Sequence, residues 1–210
     1  MVGASFRATV PSLGCVARRP RDLYQGIYHL AARASDTRHL FVNDQDREDF
    51  LERLAATWER FELALLSYVL MGSHYHALVR IPDARLSQAL QRLHSEYSRW
   101  HNRRHRRSAH LFRAHPMTRE IGSDAQLVAA CRYLARNPVE AGLVEHPLDW
   151  PWGSVRAHAG LERPQIPLAE GDLCAAFGDG ESWRERYRAQ LETADDEVPD
   201  SLSWFGAPTP

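Results

Sequence analysis

The sequence predicts a mixed fold in which amphipathic α-helices pack on a β-sheet. Apolar and polar side chains alternate along residues 25–33 and 74–80, which is the pattern of strands that bury one face. Apolar residues instead recur at intervals of three and four along residues 44–60 and 84–104, which is the pattern of helices with one buried face. A chain of 210 residues is long enough to enclose one sizeable core.

The composition is that of an ordinary soluble protein, with 44% hydrophobic and 25% charged residues. The longest apolar run, residues 63–72, is too short to span a bilayer, and residues 1–16 lack the continuous apolar segment of a secretory signal. Cys15, Cys131 and Cys174 form no Cys-x-x-Cys pair, so we expect neither a disulfide framework nor a zinc knuckle. These features favour a cytoplasmic location.

The net charge of −1 conceals an uneven distribution. Residues 1–159 contain 22 arginines and 16 acidic residues, whereas residues 160–210 contain 4 arginines and 11 acidic residues. The chain has no lysine, so every cationic side chain other than histidine is a guanidinium fork that suits phosphate. The pattern separates a basic part of the chain from an acidic C-terminal extension.

The first elements are a strand over residues 25–33 and a helix over residues 44–60. Asn43 or Asp44 can cap the helix, because a short polar side chain there accepts hydrogen bonds from unpaired backbone N–H groups. The apolar side chains that recur at helical spacing are expected to face the core: Phe50, Leu54, Trp58 and Phe61.

Residues 63–81 are predicted to form a β-hairpin with its bend at residues 71–73. Successive strand side chains point to opposite faces, so His74 and His76 emerge side by side and Tyr75 faces the other way. Two imidazoles at this spacing lie roughly 6–7 Å apart along the strand and can share one metal ion. They can equally be polar side chains on the solvated face of a half-buried sheet.

A second helix is predicted over residues 84–104 behind Asp83, and a short strand or turn at residues 111–112. No acidic residue lies between Glu96 and Glu120, although this segment is rich in arginine. Without neighbouring carboxylates, its guanidinium groups form either a phosphate-binding surface or a solvated face. The run comprises Arg99, Arg103, Arg104, Arg106, Arg107, Arg113 and Arg119.

A third helix begins behind Ser123 or Asp124. It is expected to end near Asn137, because Pro138 cannot donate the next backbone hydrogen bond and disfavours a helical conformation in its predecessor. Tyr133 and Asn137 are four residues apart and therefore share a face of this helix. Taken singly, each is better explained as a structural residue of the helix.

Beyond residue 146, prolines and tryptophans predict an irregular segment that wraps over the core. A short helix is predicted at residues 181–191, followed by an acidic cluster of Glu192, Asp195, Asp196 and Glu197. The expected organisation is an irregular leader (residues 1–22), a central domain (residues 23–159) and an acidic extension (residues 160–210).

Taken together, the histidine pair, Tyr133, Asn137 and the arginine run suggest phosphodiester chemistry. A tyrosine hydroxyl with its usual pKa of roughly 10 is a poor nucleophile. It becomes effective when a divalent cation polarises the phosphodiester that it attacks. Imidazoles combined with an amide oxygen suit Mn²⁺ and can accept Mg²⁺.

The same residues resemble the motifs of single-tyrosine transposases of the IS200/IS605 type, and most closely the branch called REP-associated tyrosine transposases. His74-Tyr75-His76 is similar to the family's HUH motif, His-hydrophobic-His. The resemblance covers about residues 21–158, with the motifs in the family's order and spacing. The matching segments are Tyr28-His29 and residues 44–49, 71–76, 133–139 and 149–154.

This resemblance implies a ferredoxin-like α+β fold, the HUH endonuclease fold, with helices packed on an antiparallel sheet. It implies metal-dependent nicking and strand transfer of single-stranded DNA, in which Tyr133 attacks the phosphate and remains joined to the 5′ end. His74 and His76 would bind Mg²⁺ or Mn²⁺, with Asn137 as third ligand. The implied substrates are hairpins of repetitive palindromic elements, bound at the nucleoid by a monomer or homodimer with no membrane partner. The expected DNA contacts are Arg99, Arg103, Arg104, Arg106, Arg107 and Arg113.

Two other interpretations stay open at this point. A domesticated DNA-binding protein would keep the fold and the hairpin recognition without useful cleavage, although the intact set of His74, His76, Tyr133 and Asn137 argues against such decay. A metal-dependent hydrolase unrelated to DNA would make Tyr133 structural and would leave the arginine run unexplained.

Overall fold

The computed structural model describes residues 24–35, 39–113, 116–178, 180 and 182–192. These residues form an α+β fold built on one antiparallel sheet of four strands, which are arranged in the order β2-β3-β1-β4. The expected fold class is therefore confirmed. The strands are β1 (Gly26–Arg33), β2 (Ala64–Leu70), β3 (His74–Ile81) and β4 (Met117–Ile121).

Helices cover both faces of this sheet. The helices of the described residues are α1 (Asp44–Arg60), α2 (Leu86–Arg104), α3 (Asp124–Glu140), α4 (Val155–His158), α5 (Gly171–Phe177) and α6 (Trp183–Glu192), with a 3₁₀ turn at Pro147–Asp149. Helices α1 and α2 share one core cluster with the sheet, and α3, α5 and α6 share the other. None of the helices in these parts of the chain is both long and apolar enough to cross a membrane.

The sheet separates two core layers, and successive side chains of strand β3 point alternately into one layer and the other. Tyr75 points toward α1, where its ring lies 4.9 Å from that of Phe50. Leu78 belongs to the opposite layer, together with Leu134 of α3. His74 and His76 have the same parity as Leu78, so they lie on the α3 side of the sheet.

Helix α1 begins and ends where the sequence predicts. Asn43 and Asp46 form a reciprocal capping box, in which Asn43 Oδ1 accepts from the Asp46 backbone N–H at 3.2 Å and Asp46 Oδ2 accepts from the Asn43 N–H at 3.3 Å. Two otherwise unpaired backbone donors are satisfied in this way, which fixes the start of the helix.

The prediction that the third helix ends near Asn137 is wrong, since α3 continues to Glu140 with Pro138 in its last turn. Proline removes one backbone donor. The helix nevertheless closes beyond it, because the Ala141 N–H donates to the Asn137 carbonyl at 3.0 Å and the Leu143 N–H donates to the Pro138 carbonyl at 2.9 Å. A proline one turn from the helix end therefore costs few hydrogen bonds.

Strand β4 was not predicted, and it extends the sheet beyond β1. It pairs antiparallel with β1, so that Ile121 lies opposite Ile27 and Arg119 opposite His29. Among the described residues between α2 and β4, Phe112 forms a β-bridge with Ala34, where a short strand or turn was expected.

The segment after residue 146 wraps over the edge of the sheet, as predicted. The Leu70 N–H donates to the Trp152 carbonyl at 2.8 Å, and the Ser154 N–H donates to the Tyr68 carbonyl at 3.0 Å. A Cβ atom at Gly153 would lie 3.1 Å from the Tyr68 carbonyl oxygen, so the close approach favours glycine.

The C-terminal helices pack against α3. Helix α6 corresponds to the helix predicted at residues 181–191, whereas α5 was not predicted. Trp183 and Tyr187 of α6 and Leu173 of α5 are buried in one cluster with α3. The leader and most of the acidic cluster lie outside the described residues, and the boundary proposed at residue 159 stays a prediction.

Candidate active site

The histidine pair of β3 lies between the sheet and α3. His76 is fully buried and His74 is 9% exposed. Their ring centroids are 5.2 Å apart and the ring planes are nearly perpendicular, at 88°. The pair is therefore enclosed by α3, and the interpretation as polar side chains on a solvated sheet face is wrong.

Asn137 reaches the pair from the last turn of α3. Its Oδ1 atom lies 3.2 Å from His74 Nε2, while the other ring nitrogen of His74 lies 3.2 Å from Ser73 Oγ. Asn137 is itself buried. Because α3 continues through Pro138, Asn137 keeps a helical backbone conformation and its side-chain amide points toward β3.

Tyr133 lies one turn earlier on the same face of α3. Its ring packs edge-on against His76 at 5.4 Å and against His29 at 5.8 Å. Burial raises the pKa of Tyr133 and the nearby Glu140 adds to this, whereas a hydrogen bond with Asn137 lowers it. The structure thus brings together the four residues that the sequence singled out for catalysis and metal binding.

His29 of β1 completes the cluster, and its part in the site was not predicted. Its Nε2 atom lies 3.0 Å from His76 Nδ1, and the side chain is fully buried. The sequence did carry a signal for this contact. Tyr28 and His29 are adjacent in β1, so their side chains point to opposite faces of the strand. His29 therefore lies on the face away from the core residues that Tyr28 contacts.

The three imidazoles are held in their neutral form. Burial lowers the pKa of His74 to about 4, with a smaller contribution from Arg33, and lowers the pKa of His29 to about 3, assisted by Arg119. Burial also holds the pKa of His76 well below its usual value. Neutral imidazole is the form that coordinates a cation.

The donor atoms of this cluster fit a divalent cation. His74 Nε2 and Asn137 Oδ1 already lie within hydrogen-bond distance of each other. Because His76 Nδ1 faces His29, Nε2 is the atom of His76 that would coordinate. Two neutral nitrogens and an amide oxygen suit Mn²⁺ and can accept Mg²⁺.

Two arginines flank the histidines on the sheet. Arg33 lies opposite His74 in the β1–β3 ladder, and Arg119 lies opposite His29 in the β1–β4 ladder. Directly opposite residues project from the same face of a sheet. Arg119 therefore belongs beside the histidines, which separates it from the six other arginines of the run.

Those six arginines are all exposed and lie on the end of α2 and the loop that follows it: Arg99, Arg103, Arg104, Arg106, Arg107 and Arg113. Arg104 also contacts Asp46, at 3.3 Å from Nε to Oδ1. The loop runs back to the site, because the Arg113 N–H donates to the Arg33 carbonyl at 2.9 Å. Of these six, Arg113 thus lies next to Arg33, the residue opposite His74 in the sheet.

The fold has a counterpart among solved structures. A solved structure described as a REP-associated tyrosine transposase bound to a REP hairpin has the same fold, with a TM-score of 0.59. The similarity covers 80% of this chain and 92% of that chain, at 13% sequence identity. Comparison with curated protein sequences gives no match.

The family model described as "Transposase IS200 like" matches residues 22–137, which include His74, His76, Tyr133 and Asn137. The chain therefore belongs to the IS200-like transposase family, and the resemblance found in its sequence motifs is confirmed. Its activity is accordingly of the DNA transposase type.

Proposed function

We propose that this protein nicks and rejoins single-stranded hairpin DNA through a covalent 5′-phosphotyrosine. One observation carries the proposal. Within the region that matches the transposase family, Tyr133 and Asn137 converge from α3 on the histidine pair of β3. The convergence of a tyrosine, three imidazoles and an amide in one enclosed space supports a catalytic role for Tyr133.

In this proposal Tyr133 is the nucleophile. Attack forms a bond between Tyr133 Oη and phosphorus and breaks the bond from phosphorus to the 3′ oxygen, which takes up a proton and leaves as a 3′-hydroxyl. The phenol is protonated at neutral pH, since its pKa is ordinarily about 10 and burial raises it further, so its proton departs as the new bond forms. Attack by a 3′-hydroxyl on the phosphotyrosine reverses the step and transfers the strand.

His74, His76 and Asn137 would hold Mg²⁺ or Mn²⁺, which when bound supplies Lewis-acid polarisation of the scissile phosphate. Arg33 and Arg119 flank the pair and are suited to the phosphate charge. The exposed arginines of the α2 end and loop would contact the DNA backbone. Hairpin DNA is the substrate proposed, since the structurally similar transposase is bound to a REP hairpin.

The test is a denaturing gel of full-length protein incubated with labelled single-stranded hairpin DNA from the flanks of its own gene, with Mn²⁺ or Mg²⁺. We expect a covalent protein–DNA band that requires the metal and disappears in Tyr133→Phe. Tyr24→Phe, which alters an exposed tyrosine, is the matched control and should leave the band unchanged.

A band that survives in Tyr133→Phe would show that another residue is the nucleophile. Tight hairpin binding without a covalent band under either metal would instead identify a domesticated DNA-binding protein.

A further inference from the structure

The geometry points to a second metal site, of the zinc class, formed by Asp46, His101 and His105. One ligand atom from each of these side chains can be chosen so that all three lie within 4.8 Å of one another. His101 and His105 are four residues apart at the end of α2 and therefore share a helix face, while Asp46 lies in the first turn of α1.

This cluster is separate from the candidate active site. Helices α1 and α2 pack on the face of the sheet that Tyr75 points to, whereas His74 and His76 point to α3 on the other face. A metal held by Asp46 and the two α2 histidines would therefore not be the ion proposed for DNA cleavage.

The second observation is the environment of His101. Its side chain is fully buried, and neither ring nitrogen has a hydrogen-bond partner among the described residues. Buried polar atoms are normally paired, so two such nitrogens on one ring need a reason.

His105 and Asp46 already face each other as two ligands would. His105 Nε2 lies 2.9 Å from Asp46 Oδ1 and 3.0 Å from Asp46 Oδ2. The imidazole rings of His101 and His105 are only 4.4 Å apart. A bound cation would replace the proton in the hydrogen bond between His105 and Asp46. Asp46 Oδ1 would then bind the cation in place of its contact with Arg104.

The donor set selects the class of metal. Two imidazoles with one carboxylate form a three-ligand site that suits Zn²⁺, with water in the fourth position. With a metal bound, Asp46 Oδ2 would still accept the hydrogen bond from the Val42 N–H, at 2.8 Å, which holds Asp46 at the start of α1. The side chain of His105 is 18% exposed, which gives the ion a route from solvent. The ion would join the start of α1 to the end of α2, where the exposed arginines begin.

The test measures Zn²⁺ binding by competition with a chromogenic chelator, using the full chain prepared metal-free. The parent protein is His74→Ala/His76→Ala, which removes the other candidate ligands. We expect this parent to bind one equivalent of Zn²⁺ and to gain thermal stability from it. Adding His101→Phe or His105→Gln should weaken Zn²⁺ binding by at least about 10-fold. Loss of a residue that only hydrogen-bonds to a metal ligand already lowers metal affinity by about 10- to 100-fold, and here a ligand itself is lost.

His110→Phe in the same parent is the control, since His110 is an exposed histidine of the neighbouring loop and should leave binding unchanged. Far-ultraviolet circular dichroism without metal verifies that each variant folds, and His105→Gln provides a milder change than the buried His101→Phe. The inference is overturned if the parent binds no Zn²⁺, or if folded His101→Phe and His105→Gln bind it as tightly as the parent does.

Discussion

His29 Nε2 lies 3.0 Å from His76 Nδ1, so an imidazole on β1 orients an imidazole on β3. The two strands are neighbours, and both side chains are fully buried beneath α3. Metal-binding histidines usually engage their second ring nitrogen in this way, which fixes the ring orientation. We infer that His29 positions His76 rather than contacting DNA.

The first prediction concerns this contact. His29→Phe keeps a ring of similar size but removes the hydrogen bond, so we expect Mn²⁺ affinity at the active site to fall by about 10- to 100-fold. The measurement is Mn²⁺ titration followed by electron paramagnetic resonance. Tyr28→Phe, at the adjacent position on the opposite strand face, is the control. Unchanged Mn²⁺ affinity in a folded His29→Phe protein would contradict the role assigned to His29.

The second prediction concerns the exposed arginines. Arg103→Gln, Arg106→Gln and Arg107→Gln in one chain should reduce the salt dependence of DNA binding, because each lost phosphate contact lowers the slope of log affinity against log salt by about 0.7 to 0.9. The measurement is hairpin affinity by fluorescence anisotropy over a range of salt concentrations. Arg163→Gln, an exposed arginine of the C-terminal segment, is the control. Equal slopes for the triple variant and the control would exclude this surface as a DNA contact.

Much of the fold follows from local sequence patterns. The start of α1 is set by the Asn43–Asp46 capping box, and the facing of His74, Tyr75 and His76 follows from strand alternation. Such features depend on residues close in sequence. They can therefore be predicted without knowing how the chain folds over longer distances.

The remainder depends on contacts between distant residues. Strand β4 carries Arg119 and Glu120, and most of its side chains are only partly buried or exposed. Its sequence therefore lacks the alternation of apolar and polar residues that predicts a strand. Pairing with β1 determines its conformation instead. Likewise, α3 passes through Pro138 while Asn137 is held against His74. Sequence spacing identified the catalytic candidates, but the cross-strand positions of Arg33 and Arg119 required the sheet register.

The third prediction concerns acid sensitivity and His94. Its Nε2 atom lies 2.8 Å from the Tyr75 hydroxyl and its ring stacks on Phe112 at 3.9 Å. Burial lowers the pKa of His94 to about 3, against an ordinary value of about 6.5. Between these pH values the unfolded chain binds more protons than the folded one, so stability falls as the pH falls.

His94→Gln keeps a hydrogen-bond acceptor for Tyr75 but cannot take up a proton. Below about pH 6.5, the wild-type free energy of unfolding should therefore fall more steeply than that of His94→Gln, by up to about 1.4 kcal/mol per pH unit. Urea unfolding at several pH values measures the two slopes. Parallel slopes would show that His94 does not stay neutral in the folded protein.

The fourth prediction asks whether the C-terminal helices belong to the same folding unit as the sheet. Tyr187 of α6 is buried among Phe177, His158 and Trp183, with ring distances of 5.4 to 6.4 Å. Tyr187→Ala should therefore destabilise the whole chain by about 3 to 5 kcal/mol, as loss of a large buried ring does. Urea unfolding should remain a single transition with a lowered midpoint.

Tyr187→Phe separates the ring from its hydroxyl. This hydroxyl has no hydrogen-bond partner among the described residues, so its removal should leave the free energy of unfolding unchanged or raise it slightly. The matched comparison is Tyr68→Phe, which removes a hydroxyl that donates to Gln165 at 3.1 Å and should cost about 1 kcal/mol. If Tyr187→Ala shifts only a minor transition and leaves the main midpoint in place, α5 and α6 unfold independently, and residue 159 marks a true boundary of the folding unit.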